Sequence, residues 1–230
     1  MKGQAVVLLS GGLDSVAALC WAKRKYESVL AMMFDYGQPN RDKEIPIGGI
    51  IARDLGIERL LLVIADSLPR GAGILKSVTD HDGREDGTSP AFVPGRNLVF
   101  LVCAASHGAL HFPNGSFDVV IGANAQDAKR FPDCRGGAFA KMSETLRHGL
   151  GRDVTIVAPW IDRTKTQILA ELTAEDWPYV ARSWSCYRGD GPCGTCSACV
   201  LRREALMAHG VDDLCERFLM HGGDHHRNHP

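Results

Sequence analysis

No apolar run in this chain approaches the roughly 20 residues that cross a bilayer, and no charged-then-apolar leader precedes its first strand-like stretch. A membrane span and a secretion signal are therefore not expected, and the cytoplasm is the expected compartment. Charge of one sign is also missing. With a formal net charge of −1, the chain lacks the basic excess that drives binding to nucleic acid through phosphate attraction, and no direct nucleic-acid partner is expected. No Gly-Lys-Ser/Thr follows the first glycine turn, so a Walker A loop is absent. A dispersed disulfide framework is lacking as well. Of eight cysteines, Cys186, Cys193, Cys196 and Cys199 crowd into fourteen residues, while Cys20, Cys103, Cys134 and Cys215 are scattered. Clustered thiols in a reducing compartment point to a metal.

What is present is organised around Val6 to Ser15, VVLLSGGLDS. Four consecutive apolar residues suit a parallel strand covered on both faces. Ser10, Gly11 and Gly12 turn the chain, and the following residues can continue as a helix. Glycines let backbone amides approach a phosphate, and the helix N-terminus adds unpaired N–H groups and a positive dipole end. The turn should hold an anion. Asp14 stands where a helix cap or a magnesium ligand would stand, and the Ser10 and Ser15 hydroxyls can donate to phosphate oxygens.

Further strands are expected at 29–34, 59–64, 119–121 and 154–157. Helices are expected at 45–55, with Pro46 tolerable only in its first turn and Gly56 as its C-cap, and at 98–110, 138–150, 165–172 and 201–206. Asp162 or Thr164 would cap the helix from Lys165. This order predicts an α/β fold, a doubly wound and mainly parallel five-stranded sheet whose ligands bind at the carboxyl ends of the strands. Asp35-Tyr36-Gly37-Gln38 and Gly122 to Asp127 leave strands on that side. Arg96 and Asn97, near a helix start, could hold a phosphate or a base edge, or be a capping Asn beside a surface Arg. Asp133 and Arg135 could pair with each other. Leu68 to Pro90 could cover the site or be a surface insertion.

The spacing Cys186-x6-Cys193-x2-Cys196-x2-Cys199 suits a closed tetrahedral zinc site, an iron–sulfur cluster being the other four-cysteine option. The organisation expected is an α/β domain over 1–180, a zinc-binding region over 181–220 and a disordered His-rich tail over 221–230.

Ser-Gly-Gly-x-Asp-Ser resembles the pyrophosphate-binding (PP) loop of the ATP pyrophosphatase superfamily. Taken with FDYGQ, FVPGRN, PDCR and the WSCY…CGTCSACVLR block, the chain resembles the 7-cyano-7-deazaguanine synthase (QueC) family. The resemblance runs from residue 6 to about 205. It implies an ATP-dependent carbon–nitrogen ligase of queuosine biosynthesis that converts 7-carboxy-7-deazaguanine and ammonia into the nitrile, with ATP, Mg2+ and Zn2+ bound and a homodimeric assembly. It places Ser10, Gly11, Gly12, Leu13, Asp14 and Ser15 around the ATP phosphates, and Arg96 and Asn97 beside the nucleotide or base. Asp127, Asp133 and Arg135 fall near the reacting carboxylate, with Arg163 standing where the family usually has lysine. The four clustered cysteines become the zinc ligands. Departures occur at Pro39-Asn40-Arg41, where the family usually has a histidine after Tyr-Gly-Gln, and at Lys129-Arg130-Phe131 before Pro132. These departures motivate an alternative, a paralogue that stops at the amide or passes the acyl group to another amine. Sulfur transfer to tRNA, with Cys134 as the spare thiol, and a non-catalytic zinc-dependent nucleic-acid-binding module are the remaining readings.

Overall fold

In the computed structural model, residues 3–65, 67–69, 73–75, 87–211 and 213 are described. Five strands, β1 (Gln4–Leu8), β2 (Ser28–Asp35), β3 (Glu58–Val63), β4 (Phe117–Val120) and β5 (Val154–Val157), form one parallel sheet in the order β3-β2-β1-β4-β5. Helices α1 (Leu13–Lys25), α2 (Arg41–Asp54), α3 (Arg96–His111), α4 (Ala125–Arg130), α5 (Gly136–Leu150), α6 (Lys165–Ala170), α7 (Trp177–Arg182) and α8 (Ser197–Met207) cover it. This is the expected doubly wound architecture.

The continuous apolar run of β1 is explained by burial on both faces. Val6 and Leu8 join Leu30, Met32 and Val119 in a core under α3 and α5, built with Leu101, Ala104, Phe139 and Leu146. Ala5, Val7 and Leu9 join the opposite core, with Val16 and Leu19 of α1, Ile51 of α2, Ile168 of α6 and Leu206 of α8. A side chain on Gly108 would begin 2.5 Å from the Phe117 ring, so glycine there lets α3 lie close on the sheet.

α2 and α8 each begin four residues before the sequence reading places them. α2 begins at Arg41, not Ile45, which puts Pro46 in its sixth position, past the first turn, on an exposed face. The helix ends as expected at Gly56 (φ 65°), where Ile57 N–H donates to the Ala52 carbonyl and Gly56 N–H to that of Arg53, a Schellman closure. Thr164, not Asp162, caps α6, in a capping box with Gln167. α4 and α7 were not foreseen. Each has six residues, too few for a 3.6-residue period to register. Much of the 68–90 stretch and all of 221–230 lie outside the described residues.

β1 feeds β2 on one side, and β4 flanks it on the other. The chain thus leaves the sheet in opposite directions at the carboxyl ends of β1 and β4. A crevice opens at such a switch point.

Candidate active site and four-cysteine cluster

The crevice is a cleft of about 260 Å³. Its floor is built by Leu8 and Leu9 after β1, Phe34 and Tyr36 at the end of β2, and Ile121, Gly122 and Ala123 after β4. Ser10, Gly12, Leu13, Asp14, Ser15, Arg96, Asn97 and Asp127 line it, as the sequence suggests.

The turn between β1 and α1 is held open by its own serines. Ser15 Oγ accepts from the Ser10 and Gly11 N–H groups, each at 3.2 Å, and Ser10 Oγ accepts from Gly12 N–H at 3.1 Å. Gly12 precedes α1 without a side-chain cap, so the positive end of that helix is left for a ligand. Gly11 has φ 94°, and a side chain on it would begin 2.3 Å from the Glu44 backbone carbonyl. Only glycine fits between this turn and the start of α2. On the other side, a side chain on Gly122 would begin 2.6 Å from the Asp14 carbonyl, which fixes α1 against the end of β4.

Beside the turn, Lys165 at the first position of α6 pairs with Asp14 Oδ2, with the two side chains only 11% and 20% exposed. Desolvation would lower the Lys165 pKa, but Asp14 and Asp127 outweigh it and hold the ammonium charged. The Asp127 carboxyl is pushed up to about 6 by burial, with Lys165 opposing and Asp14 reinforcing the rise. Asp127 also accepts from Asn124 N–H at 3.3 Å in the capping box of α4, which fixes its direction. Asp14 Oδ1 is buried without a hydrogen-bond partner. An orphaned carboxylate oxygen beside a phosphate-binding turn fits a divalent cation.

The second end of the cleft is aromatic and cationic. Phe100 stacks on Phe34 with ring centroids 4.3 Å apart and leans on Tyr36 at 5.3 Å. Arg96 donates to Tyr36 Oη and to Asn97 Oδ1, both at 3.3 Å. Its guanidinium is desolvated, yet Tyr36, Cys134, Asp133 and Tyr187 nearby outweigh that and raise its pKa. Asn97 does not cap α3, whose N-cap is Gly95; its Nδ2 reaches Cys134 Sγ at 3.1 Å. Burial raises the Cys134 thiol well above its usual range, which leaves it a poor nucleophile.

Three of the residues taken to be catalytic lie outside the cleft lining. Asp133 is buried behind the start of α3, where Oδ2 accepts from Asn97 N–H at 3.1 Å, so it holds Arg96 and Asn97 in place. It does not pair with Arg135, which is exposed and donates to the Ala128 carbonyl at 3.3 Å. Arg163 is 55% exposed, with Nε 3.6 Å from Glu171 Oε1. The basic residue that reaches the cleft is Lys165, two positions on, because the Thr164 cap turns the chain inward there. Of the departures from the family pattern, only Asn40 and Phe131 line the cleft. Lys129 is exposed on α4, and Arg130 donates to Ser89 Oγ at 3.4 Å.

Glu44, Ser185 and Tyr187 also line the cleft and were not singled out from sequence. Glu44 could have been found, since the first turn of a helix leaving a strand's carboxyl end faces the crevice. Burial pushes its carboxyl up to about 8, against Arg96 and an Asn40 hydrogen bond.

Ser185 and Tyr187 arrive with the cysteine cluster. The Sγ atoms of Cys186, Cys193, Cys196 and Cys199 lie within 4.8 Å of one another. A zinc tetrahedron with Zn–S bonds of ~2.3 Å has edges of ~3.8 Å, so the four thiols fit one small cation. Arg188 and Cys193 N–H groups donate to Cys186 Sγ at 3.4 and 3.3 Å, and Cys196 N–H to Cys193 Sγ at 3.3 Å. Hydrogen bonds from Cys186 and Cys199 hold the Cys196 thiol far below its ordinary pKa. The cluster is fastened to the Ser10–Ser15 turn and to the residues just before α2. Trp184 N–H donates to the Gly11 carbonyl at 2.9 Å, Asn40 Nδ2 to the Cys186 carbonyl at 2.9 Å, and a side chain on Gly189 would begin 2.5 Å from the Pro39 carbonyl. Among the described residues, no helix is long and apolar enough to cross a membrane.

The family model described as queuosine biosynthesis protein QueC matches residues 4–210. A protein of Synechococcus sp. (strain CC9311) named 7-cyano-7-deazaguanine synthase is 37% identical over 224 residues, covering 92% of this chain and 96% of its own. Proteins of the same name from Prochlorococcus marinus (strain NATL2A) and Staphylococcus saprophyticus are 33% and 35% identical, again over 92% of this chain and 96% and 97% of theirs.

Proposed function

The chain belongs to the QueC family, and from that premise we propose that it is an ATP-dependent ligase converting 7-carboxy-7-deazaguanine and ammonia into 7-cyano-7-deazaguanine. The observation that carries this reading is one cleft combining a self-braced phosphate turn, a buried Asp14–Lys165 pair and a desolvated Arg96, in a chain whose relatives bear the synthase name along almost their whole lengths.

In this scheme a carboxylate oxygen of the acid attacks the α-phosphorus of ATP, and pyrophosphate departs. The Ser10–Ser15 turn and Lys165 receive the charge that gathers on the departing oxygens, and Arg96 holds the acid's carboxylate against that phosphorus. Asp14 Oδ1 is the seat for Mg2+, which when bound screens the phosphate charge. Ammonia then adds to the acyl carbon, its surplus proton passes to Asp127, and AMP leaves with one oxygen of the original carboxylate. The amide oxygen attacks the α-phosphorus of a second ATP, and a second pyrophosphate departs. Loss of that oxygen in a second AMP, with one amide proton passing to Asp127 and the other to solvent, gives the nitrile. Cys186, Cys193, Cys196 and Cys199 would hold Zn2+ as a structural ion, and residues 181–220 form the region it organises beside the 1–180 domain. The proposal extends to a homodimer working in the cytoplasm on small molecules, without direct nucleic-acid contact.

The scheme makes a labelling prediction. With both carboxylate oxygens of the acid replaced by 18O, mass spectrometry should find one 18O in each of two AMP molecules per nitrile. Label appearing in inorganic phosphate, or retained in an amide end product, would contradict double adenylation.

A further inference from the structure

The wall of the cleft nearest the cysteine cluster carries hydrogen-bond acceptors that the adenylation scheme leaves unused. Asn40, immediately before α2, lines the cleft and is 2% exposed. Its Nδ2 donates to the Cys186 carbonyl at 2.9 Å, and its amide also bonds the Glu44 carboxyl. A carbonyl only accepts, so the nitrogen must face Cys186. Oδ1 is therefore left buried, with no partner. Glu44 follows four residues later, one helical turn on and on the same face. Its Oε1 stands 3.8 Å from where a side chain on Gly12 would begin, and its backbone carbonyl is locked against Gly11. Asn40 Oδ1 and the Glu44 carboxyl are thus fixed side by side in a desolvated wall, where an unmet polar atom is costly.

We propose that Asn40 Oδ1 and the Glu44 carboxyl, ionised when two donors face it, together read a donor–donor edge of the substrate base, a ring N–H beside an exocyclic amine. The inference rests on the synthase reading, in which 7-carboxy-7-deazaguanine presents that edge opposite its carboxylate. Adenine offers an amine beside a ring acceptor and leaves one member of the pair unmet. The same two residues therefore keep the base of ATP out of the acid's half of the cleft, while Arg96 on the α3 wall meets the carboxylate end.

The test is calorimetric titration of the full-length protein with 7-carboxy-7-deazaguanine and with the analogue in which hydrogen replaces the exocyclic amine. Wild-type protein should prefer the amine-bearing acid by about 10- to 100-fold, and Glu44→Gln should shrink that preference to about threefold or less while the KM for ATP changes by less than about twofold. Equal binding of the two acids by the wild type, or equal weakening of both by Glu44→Gln, would overturn the assignment. If Glu44→Gln fails to fold, the wild-type comparison decides alone. Binding of neither acid by folded, ATP-binding wild type would instead overturn the synthase reading, and this inference with it.

Discussion

Lys165→Met is expected to lower the rate of AMP formation by about 10²- to 10³-fold, the loss that follows when one preorganised charge is removed from a desolvated site. The ammonium is the shared counter-charge of Asp14 and Asp127 and is held charged by both. Methionine keeps the length and apolar stem of lysine and deletes only the charge, leaving two carboxylates facing each other beside the phosphate turn. Breaking a largely buried ion pair by deleting one partner costs about 3 kcal/mol, so the melting temperature should fall as well. Pairing the change with Asp14→Asn separates the two effects, because the double variant removes one of the two uncompensated charges and the repulsion between them, and should recover part of the melting temperature without recovering the rate. A Lys165→Met protein that turned over at the wild-type rate would show that Lys165 is only a structural counter-ion.

Cys196→Ser should release the bound metal and weaken ATP binding, although Cys196 does not line the cleft. This thiol is 1% exposed, sits immediately before α8 and shares hydrogen bonds with Cys186 and Cys199. What it organises reaches the turn through Trp184 N–H to Gly11, and the neighbouring start of α2 through Asn40 to the Cys186 carbonyl. Structural zinc sites contribute folding energy directly, so a drop in melting temperature of about 10 °C or more is expected for a domain of this size. Metal content by plasma mass spectrometry and the KM for ATP should change together. Loss of the metal with an unchanged KM for ATP would mean that the cluster and the turn are independent.

Much of this arrangement was legible in the sequence because local rules and the global fold agree. The run Val6 to Leu9 is apolar at every position because cores lie on both faces, and Ser10 to Ser15 form a turn that only glycine at position 11 can make. The cysteine spacing predicted the gathering of the four thiols that fit one cation. What was not legible depends on side-chain direction and on contacts between distant segments. Asp162 and Thr164 both read as caps of α6, and that Lys165 rather than Arg163 enters the cleft follows only once Thr164 is seen to be the one used. Asp133 lies in the short turn 132–134 and is buried, whereas Arg135, two residues on, is the N-cap of α5 and faces outward. Asn40 reads from sequence as part of a loop. Its role as a cleft acceptor comes from Cys186, 146 positions away, which takes its nitrogen.

The central claim is tested most directly by incubating the purified protein with 7-carboxy-7-deazaguanine, ammonium, ATP and magnesium and identifying the products by mass spectrometry. The account requires the nitrile, with AMP and pyrophosphate formed in step with it. Absence of AMP, or an amide that accumulates with AMP and never becomes nitrile, would contradict it.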